Sequence, residues 1–326
     1  MKFLYCLLQA VVVFAAGAVA QANPGACSGH CWSHDPSVIR RASDGAYFRF
    51  ETGSLIGIWK APDLTGPWEY QGPAIPAGSI IDLPGNDDLW APDVRLVDGT
   101  YIMYYTVSTF GVQNSAIGYA TSPDMEAGSW TDRGHTGISS REGDDFNAID
   151  ASLMRDISTS AYSVTFGSFW GGIFQIPMEG DATTAAGQPF NIAHNSTGAN
   201  AIEGPFVHER DGWYYLFFSS GQCCGYDTDF PAPGEEYKIY VCRSRSVGGP
   251  YVDRNGVSCL TGNGGTLVLG SHGFVFGPGG QGVLSDPSYG TVLYYHYAHT
   301  DIGIRDADYQ FGWNTLSWND GWPTVS

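Results

Sequence analysis

Asp98-Gly99-Thr100-Tyr101-Ile102 runs a small polar turn into the start of a strand, and four other stretches of the chain do the same. They are Asp44-Gly45-Ala46-Tyr47-Phe48, Ser158-Thr159-Ser160-Ala161-Tyr162, Asp211-Gly212-Trp213-Tyr214-Tyr215 and Tyr289-Gly290-Thr291-Val292-Leu293. Gly, Asp and Ser permit the tight turn, and the β-branched and aromatic residues after it favour a pleated strand. The steps between Tyr47, Tyr101, Tyr162, Tyr214 and Leu293 are 54, 61, 52 and 79 residues. A recurrence at that spacing marks a repeat architecture.

Upstream of each turn lies another short strand, opened by a proline or small-residue motif that carries or flanks an acid. These openings are Asp35-Pro36-Ser37, Ala91-Pro92-Asp93, Asp150-Ala151-Ser152, Glu203-Gly204-Pro205 and Gly277-Pro278-Gly279. A third element, Gly66-Pro67-Trp68, Gly128-Ser129-Trp130 and Gly249-Pro250-Tyr251, is expected to end the units. Helical periodicity is hard to find. Five units, each with strands enough for a small antiparallel sheet, describe an all-β, five-bladed β-propeller. A β-sandwich needs no fivefold recurrence, and a parallel β-helix would show a shorter period. In a propeller the first strand of each blade lines the axis, so the opening acids converge although they are far apart in sequence.

Residues 1–20 read as an export signal: Lys2, an apolar run from Leu7 to Ala18, and the small-residue cleavage site Ala18-Val19-Ala20. The expected mature chain, 21–326, has no further apolar run long enough to span a membrane and no Ser/Thr/Pro-rich linker, so one secreted domain is expected. It carries 14 basic and 33 acidic residues, a formal charge of −19. Such a surface repels phosphate backbones and anionic membranes, which argues against a nucleic-acid or membrane partner. A monomer is expected. Few charges with abundant Gly, Trp, Tyr and Phe suit clefts with aromatic faces, as sugar sites have. Six cysteines remain after the signal, Cys27, Cys31, Cys223, Cys224, Cys242 and Cys259; an even number in an exported chain favours disulfides, with the pairing left open. Asn195-Ser196-Thr197 is a glycosylation sequon that places its loop on the surface.

Asn147-Ala148-Ile149-Asp150 sets an acid in an apolar run, where a carboxyl is costly unless it is used. Together with His34-Asp35-Pro36-Ser37, Leu89-Trp90-Ala91-Pro92-Asp93, Ile202-Glu203-Gly204-Pro205-Phe206, and Ser271-His272-Gly273 with Gly277-Pro278-Gly279-Gly280, it resembles the glycoside hydrolase family 43 arabinanases. The match runs in order from about His34 to Asp320-Gly321-Trp322-Pro323. The nearest members are the endo-1,5-α-L-arabinanases, which cut arabinose side chains of pectin.

The resemblance implies an inverting hydrolase of arabinan. Asp35 is then the general base, Glu203 the general acid, and Asp150 a third carboxyl that raises the Glu203 pKa and orients it or the sugar. Asp93 is assigned a structural hydrogen-bonding role. Trp90, Phe110 and Trp170 stand where the resembling enzymes place binding aromatics, with core packing as the competing reading. His34, Asn147 and Ser168 are candidates for hydrogen bonds to sugar hydroxyls or to the acids. His272 matches the family position that faces a hydrated metal ion on the axis, read as calcium. Two other functions share the fold: an exo-acting α-L-arabinofuranosidase or β-xylosidase with the same acids, and a non-catalytic sugar-binding propeller, against which the three acids argue.

Overall fold

The computed structural model describes residues 21–326; the export-signal reading falls on residues outside that span. Twenty strands form five four-stranded antiparallel sheets, each built from consecutive strands in chain order. Blade one holds β1 (Ser37–Arg40), β2 (Tyr47–Glu51), β3 (Gly57–Ala61) and β4 (Glu69–Pro73). Blade two holds β5 (Leu89–Val97), β6 (Thr100–Val107), β7 (Ser115–Ser122) and β8 (Thr131–Ser140). In blade three are β9 (Ser152–Arg155), β10 (Tyr162–Phe166), β11 (Ile173–Pro177) and β12 (Phe190–Ala193). Blade four has β13 (Glu203–Arg210), β14 (Trp213–Ser220), β15 (Lys238–Ser244) and β16 (Thr266–Leu269). Blade five has β17 (Val275–Asp286), β18 (Gly290–His299), β19 (Gln310–Asn319) and β20 (Trp322–Val325). Among the described residues the one helical element is a 3-10 turn, Asp306–Asp308.

Each of the five repeated turns joins the first and second strands of a blade. In blades two and four the loop is two residues long: Val97 pairs with Thr100 around Asp98-Gly99, and Arg210 with Trp213 around Asp211-Gly212. Both turn residues have positive φ in each case (46° and 84°, 53° and 72°), the primed geometry whose twist matches a hairpin.

The strands after these turns are buried on both faces, because blades pack face to face. Along β6, Met103 and Tyr105 point into a core shared with Phe48 and Phe50 of blade one, while Ile102 and Tyr104 point into one shared with Val164 and Phe166 of blade three. Alternate residues thus serve alternate interfaces, so an apolar side chain is favoured at every position. Leu216 and Phe218 of blade four face Ile192 of blade three, and a larger cluster joins Phe217, Val292, Leu293, Tyr47 and Trp68 across blades four, five and one. The three elements with glycine two residues before an aromatic prove to lie just before the last strand of blades one and two and between the third and fourth strands of blade four. There Trp68, Trp130 and Tyr251 are buried in the cores between blades.

The inner strands β1, β5, β9, β13 and β17 touch in a closed cycle. Side chains of one inner strand hold the backbone of the next: Ser37 Oγ accepts from Val94 N, Asp93 Oδ2 from Leu153 N, and Asp150 Oδ2 from Gly204 N. Asp93 also accepts from Arg95, so its structural role is observed. Among the described residues no strand is exchanged between first and last blades; the segment before β1 spans that junction instead, with Gly25 N on Trp313 O and bridges Gly29–Trp68 and Trp32–Gln310. The cysteines pair as Cys27–Cys31, Cys223–Cys224 and Cys242–Cys259.

Candidate active site

Every blade starts with one residue in the left-handed region ahead of proline or alanine: Asp35 (φ 44°), Ala91 (44°), Asp150 (60°), Gly204 (57°) and Gly277 (57°). Asp tolerates this region better than most residues, and glycine freely, while Ala91 is strained there. The bend turns the chain from the rim into the axial strand. It also defines a common register, in which Asp35 and Asp150 are equivalent and Glu203 stands one residue earlier, level with His34, Trp90, Ile149 and Phe276. A longer side chain lets Glu203 reach the same mouth from that position.

Asp35 is held on three sides. Thr52 Oγ1 donates to its Oδ2 at 2.9 Å and is itself fixed by Ala91 N at 2.8 Å. His34 Nδ1 lies 3.0 Å from the same oxygen, and the backbone N–H of Asp35 donates to His296 Nδ1 at 3.0 Å. Gly280 is required for this approach: a Cβ there would come within 2.6 Å of Asp35 Oδ1 and 2.7 Å of His296 Nδ1. Burial by itself would push the Asp35 carboxyl up, but the His34 imidazole, His296 and the Thr52 hydroxyl outweigh it and hold Asp35 well below the usual carboxylate range. For His34 burial disfavours the charge, and the nearby Asp35, Asp306 and Glu203 carboxyls reverse that and raise it.

The other two acids behave oppositely. Asp150 is pushed well up by burial and then by the neighbouring Glu203 and Asp35 charges. Glu203, buried, is also raised by burial, although Ser168 Oγ donates to its Oε2 at 2.6 Å and the Tyr237 hydroxyl adds a second stabilising contact. The site therefore combines one carboxylate held ionised with two carboxyls pushed towards their protonated forms, both chiefly by burial. Beneath them is an axial cavity of about 50 Å³, lined in part by Asp35, Asp150, Ser152, Tyr237 and Gln281, large enough for water.

The structure brings Asp35, Asp150, Glu203, His34 and Ser168 together at this mouth. Trp90 is half-buried in the His34 register, Phe110 is 83 % exposed in the β6–β7 loop, and Trp170 is 37 % exposed in the loop that carries Ser168. Asn147 is placed otherwise: it is buried, and its amide oxygen accepts from Ser115 at 2.7 Å and Ser140 at 3.4 Å, making it a brace of the wall behind Asp150.

His272 does not fit the metal expectation. Its ring nitrogens lie against the carbonyls of Gly270 (2.9 Å) and Ala22 (3.1 Å), in a turn whose backbone pairs with Val275; the neutral ring donates to one carbonyl, its other nitrogen faces the second, and no hydrogen bond ties it to the acids. The histidine against the acids is His296 on β18, fully buried and stacked on His34 at 4.6 Å. Ligand atoms of His34, Asp35 and His296 lie within 4.8 Å of one another, and His296 Nε2 is buried with no hydrogen-bond partner. A buried imidazole nitrogen without a partner, on a ring whose other nitrogen faces the Asp35 carboxylate, is donor chemistry that fits a hydrated cation. Sequence reading missed His296, Tyr237 and Thr52; the one signal for His296 is a histidine inside the strand run Tyr294-Tyr295-His296-Tyr297, where a packing residue would be aliphatic or aromatic.

Residues 31–323 match the family model described as glycosyl hydrolases family 43. The arabinan endo-1,5-alpha-L-arabinosidase A of Aspergillus aculeatus is 54% identical over 324 residues, 99% of this chain and 100% of that protein. Among solved structures, an exo-1,5-alpha-L-arabinanase from a bovine ruminal metagenomic library superposes with a TM-score of 0.79 at 32% identity, covering 90% of this chain and 96% of its own. The native arabinanase of Bacillus subtilis gives 0.79 at 30%, covering 93% and 100%.

Proposed function

The chain belongs to glycosyl hydrolases family 43, and from that premise we propose that its axial carboxyls hydrolyse internal α-1,5-L-arabinofuranosyl linkages of arabinan with inversion. The observation that carries this reading is the opposite state of the carboxyls at one mouth: Asp35 held ionised, Asp150 and Glu203 pushed towards their protonated forms. Asp35 takes a proton from water as its oxygen attacks the anomeric carbon. Glu203 gives its proton to the departing glycosidic oxygen, and the C–O bond breaks on the face opposite the attack. Such a pair works at a separation of roughly 6.5–9.5 Å, which leaves room for the water. Asp150, itself raised by burial and the Glu203 charge, stands beside the acid and orients it or the sugar. His34 and Thr52 orient the base, and Ser168 orients the acid. Trp90, Phe110 and Trp170 offer faces to the furanose rings.

A hydrated cation of the calcium kind would be held through His296, with Asp35 and His34 beside it. Bound there, it supplies positive charge that favours ionised carboxylates. Two tautomers are open to the neutral imidazole. In one, Nδ1 accepts from Asp35 N–H and Nε2 carries the proton; in the other, Nδ1–H turns to Asp35 Oδ1, 3.4 Å away, and frees the Nε2 lone pair. Export and a monomeric state complete the reading. Three disulfides support an oxidising compartment, and no helix among the described residues is long and apolar enough to cross a membrane.

Product analysis on linear arabinan tests the function. A ladder of oligosaccharides with the β-anomer formed first is expected. Arabinose as the sole early product makes the enzyme exo-acting, an α-anomer formed first makes Asp35 a nucleophile, and no product leaves a sugar-binding propeller.

A further inference from the structure

Blades one, three and four supply the acids, and blade two supplies Trp90 at the His34 register; blade five supplies no polar group at that register, where Phe276 stands. The β14–β15 loop, residues 221–237, covers this position. Tyr226 of the loop, fully buried, packs edge-on against Phe276 at 4.9 Å, and Phe230 stacks on the same ring at 5.1 Å. Ahead of these aromatics, the same loop lies against blade one, where Cys224 Sγ is 3.9 Å from His34 Nε2. The other nitrogen of that ring contacts Asp35. The order of blades around the axis therefore gives the mouth two long walls and two ends. Asp35 stands opposite Asp150 and Glu203, one end is marked by Trp90 and Phe110 of blade two, and the other by the adjacent-residue disulfide Cys223–Cys224.

That disulfide does little that the loop needs. Cys242–Cys259 closes a segment of 17 residues, whereas a bond between neighbours closes almost no loop in the unfolded chain and gains little by restricting it. The backbone is already pinned around it. Tyr309 Oη donates to Cys223 O at 3.0 Å, Gln222 Nε2 to Cys224 O at 3.0 Å, and Gly225 N to Asp306 Oδ1 at 2.9 Å. Both cysteines remain partly exposed. A bond between neighbouring residues removes side-chain freedom and presents a rigid, polarisable, uncharged sulfur face, which can pack against the C–H face of a sugar with little ordering cost.

We propose that the Cys223–Cys224 disulfide is a sugar-contacting platform at the blade-five end of the groove, taking the furanose next to His34 and setting affinity for the arabinan chain. The proposal rests on the reading of the groove given above. Its contact is made equally in ground and transition states, so its loss raises KM and leaves kcat nearly unchanged.

The test is Cys223→Ser/Cys224→Ser on linear arabinohexaose, beside wild-type enzyme mildly reduced and alkylated with iodoacetamide, the modified cysteines being mapped by mass spectrometry. For the double variant a KM rise of about tenfold with kcat within about threefold is expected, and reduction should change its KM no further. Wild type alkylated at Cys223 and Cys224 should lose at least as much affinity. A folded double variant whose KM stays within about twofold of wild type reduces the disulfide to a loop brace and overturns the proposal. If the variant does not fold, the alkylated wild-type protein decides by the same criterion. Calorimetric binding of arabinohexaose to both proteins separates failure of the platform from failure of the hydrolase reading: weaker binding by the variant supports the platform even if no bond is cleaved, and equal binding removes it.

Discussion

Asp35 and Glu203 differ in the company their carboxyls keep. Asp35 has an imidazole and a hydroxyl aimed at it; Glu203 has one serine and one tyrosine hydroxyl inside a buried, acidic wall. Asp35→Asn removes the proposed base and Glu203→Gln the proposed acid, so each should lower turnover on arabinan by several orders of magnitude with folding intact. An aryl arabinoside whose leaving group needs little protonation should restore much of the Glu203→Gln rate and little of the Asp35→Asn rate. Equal losses on both substrates would dismiss Glu203 as the acid. Ser168 gives a pH test. Its hydrogen bond favours the Glu203 carboxylate, so Ser168→Ala raises the Glu203 pKa further, against the same surroundings of Asp150, Asp35, His34 and Tyr237. The acid form then persists to higher pH, and the alkaline limb of kcat/KM should move up by roughly half to one pH unit. A limb that stays in place or moves down contradicts the role.

At the scale of elements, closure of the ring depends on Arg49 of β2. Its guanidinium is fully buried, paired with Glu51, placed between the rings of Trp68 (4.7 Å) and Phe311 (4.6 Å), and donates to the carbonyls of His30 and Trp32 in the segment before β1. It thus ties blade one, blade five and that segment together. Arg49→Met leaves the Glu51 carboxyl buried without its partner and should cost about 3–5 kcal/mol in denaturant unfolding. Arg49→Met/Glu51→Leu should regain most of that loss, since an apolar pair bears no desolvation penalty. An Arg49→Met midpoint equal to that of wild type would show that the apolar junction closes the ring unaided.

The molecule as a whole brings blades five and one together at His296 and Asp35, and the cation reading belongs to that junction. Elemental analysis and pH–activity profiles of His296→Ala and His272→Ala should differ: the first loses the metal and shifts the profile, and the second retains both. Metal loss confined to His272→Ala would return the site to the expected position. The ring also explains how much was legible beforehand. Asp-Gly turns, Tyr-rich strands and opening acids repeat because every blade solves the same local problem, so the five blades and Asp35, Asp150 and Glu203 could be read along the chain. His296 could not, because its importance comes from a partner 261 residues away.

Local chemistry therefore settled the repeat and the blade count, for turn geometry and strand preference act within a few residues, while the roles given to the three acids came from the family resemblance. Tertiary structure alone decided which nitrogen faces the acids, that Asn147 braces a wall, that Cys223 pairs with its neighbour beside His34, and which carboxyl is held ionised. Those properties are sums over groups drawn from different blades. Burial and opposing charge exist only once the ring has closed.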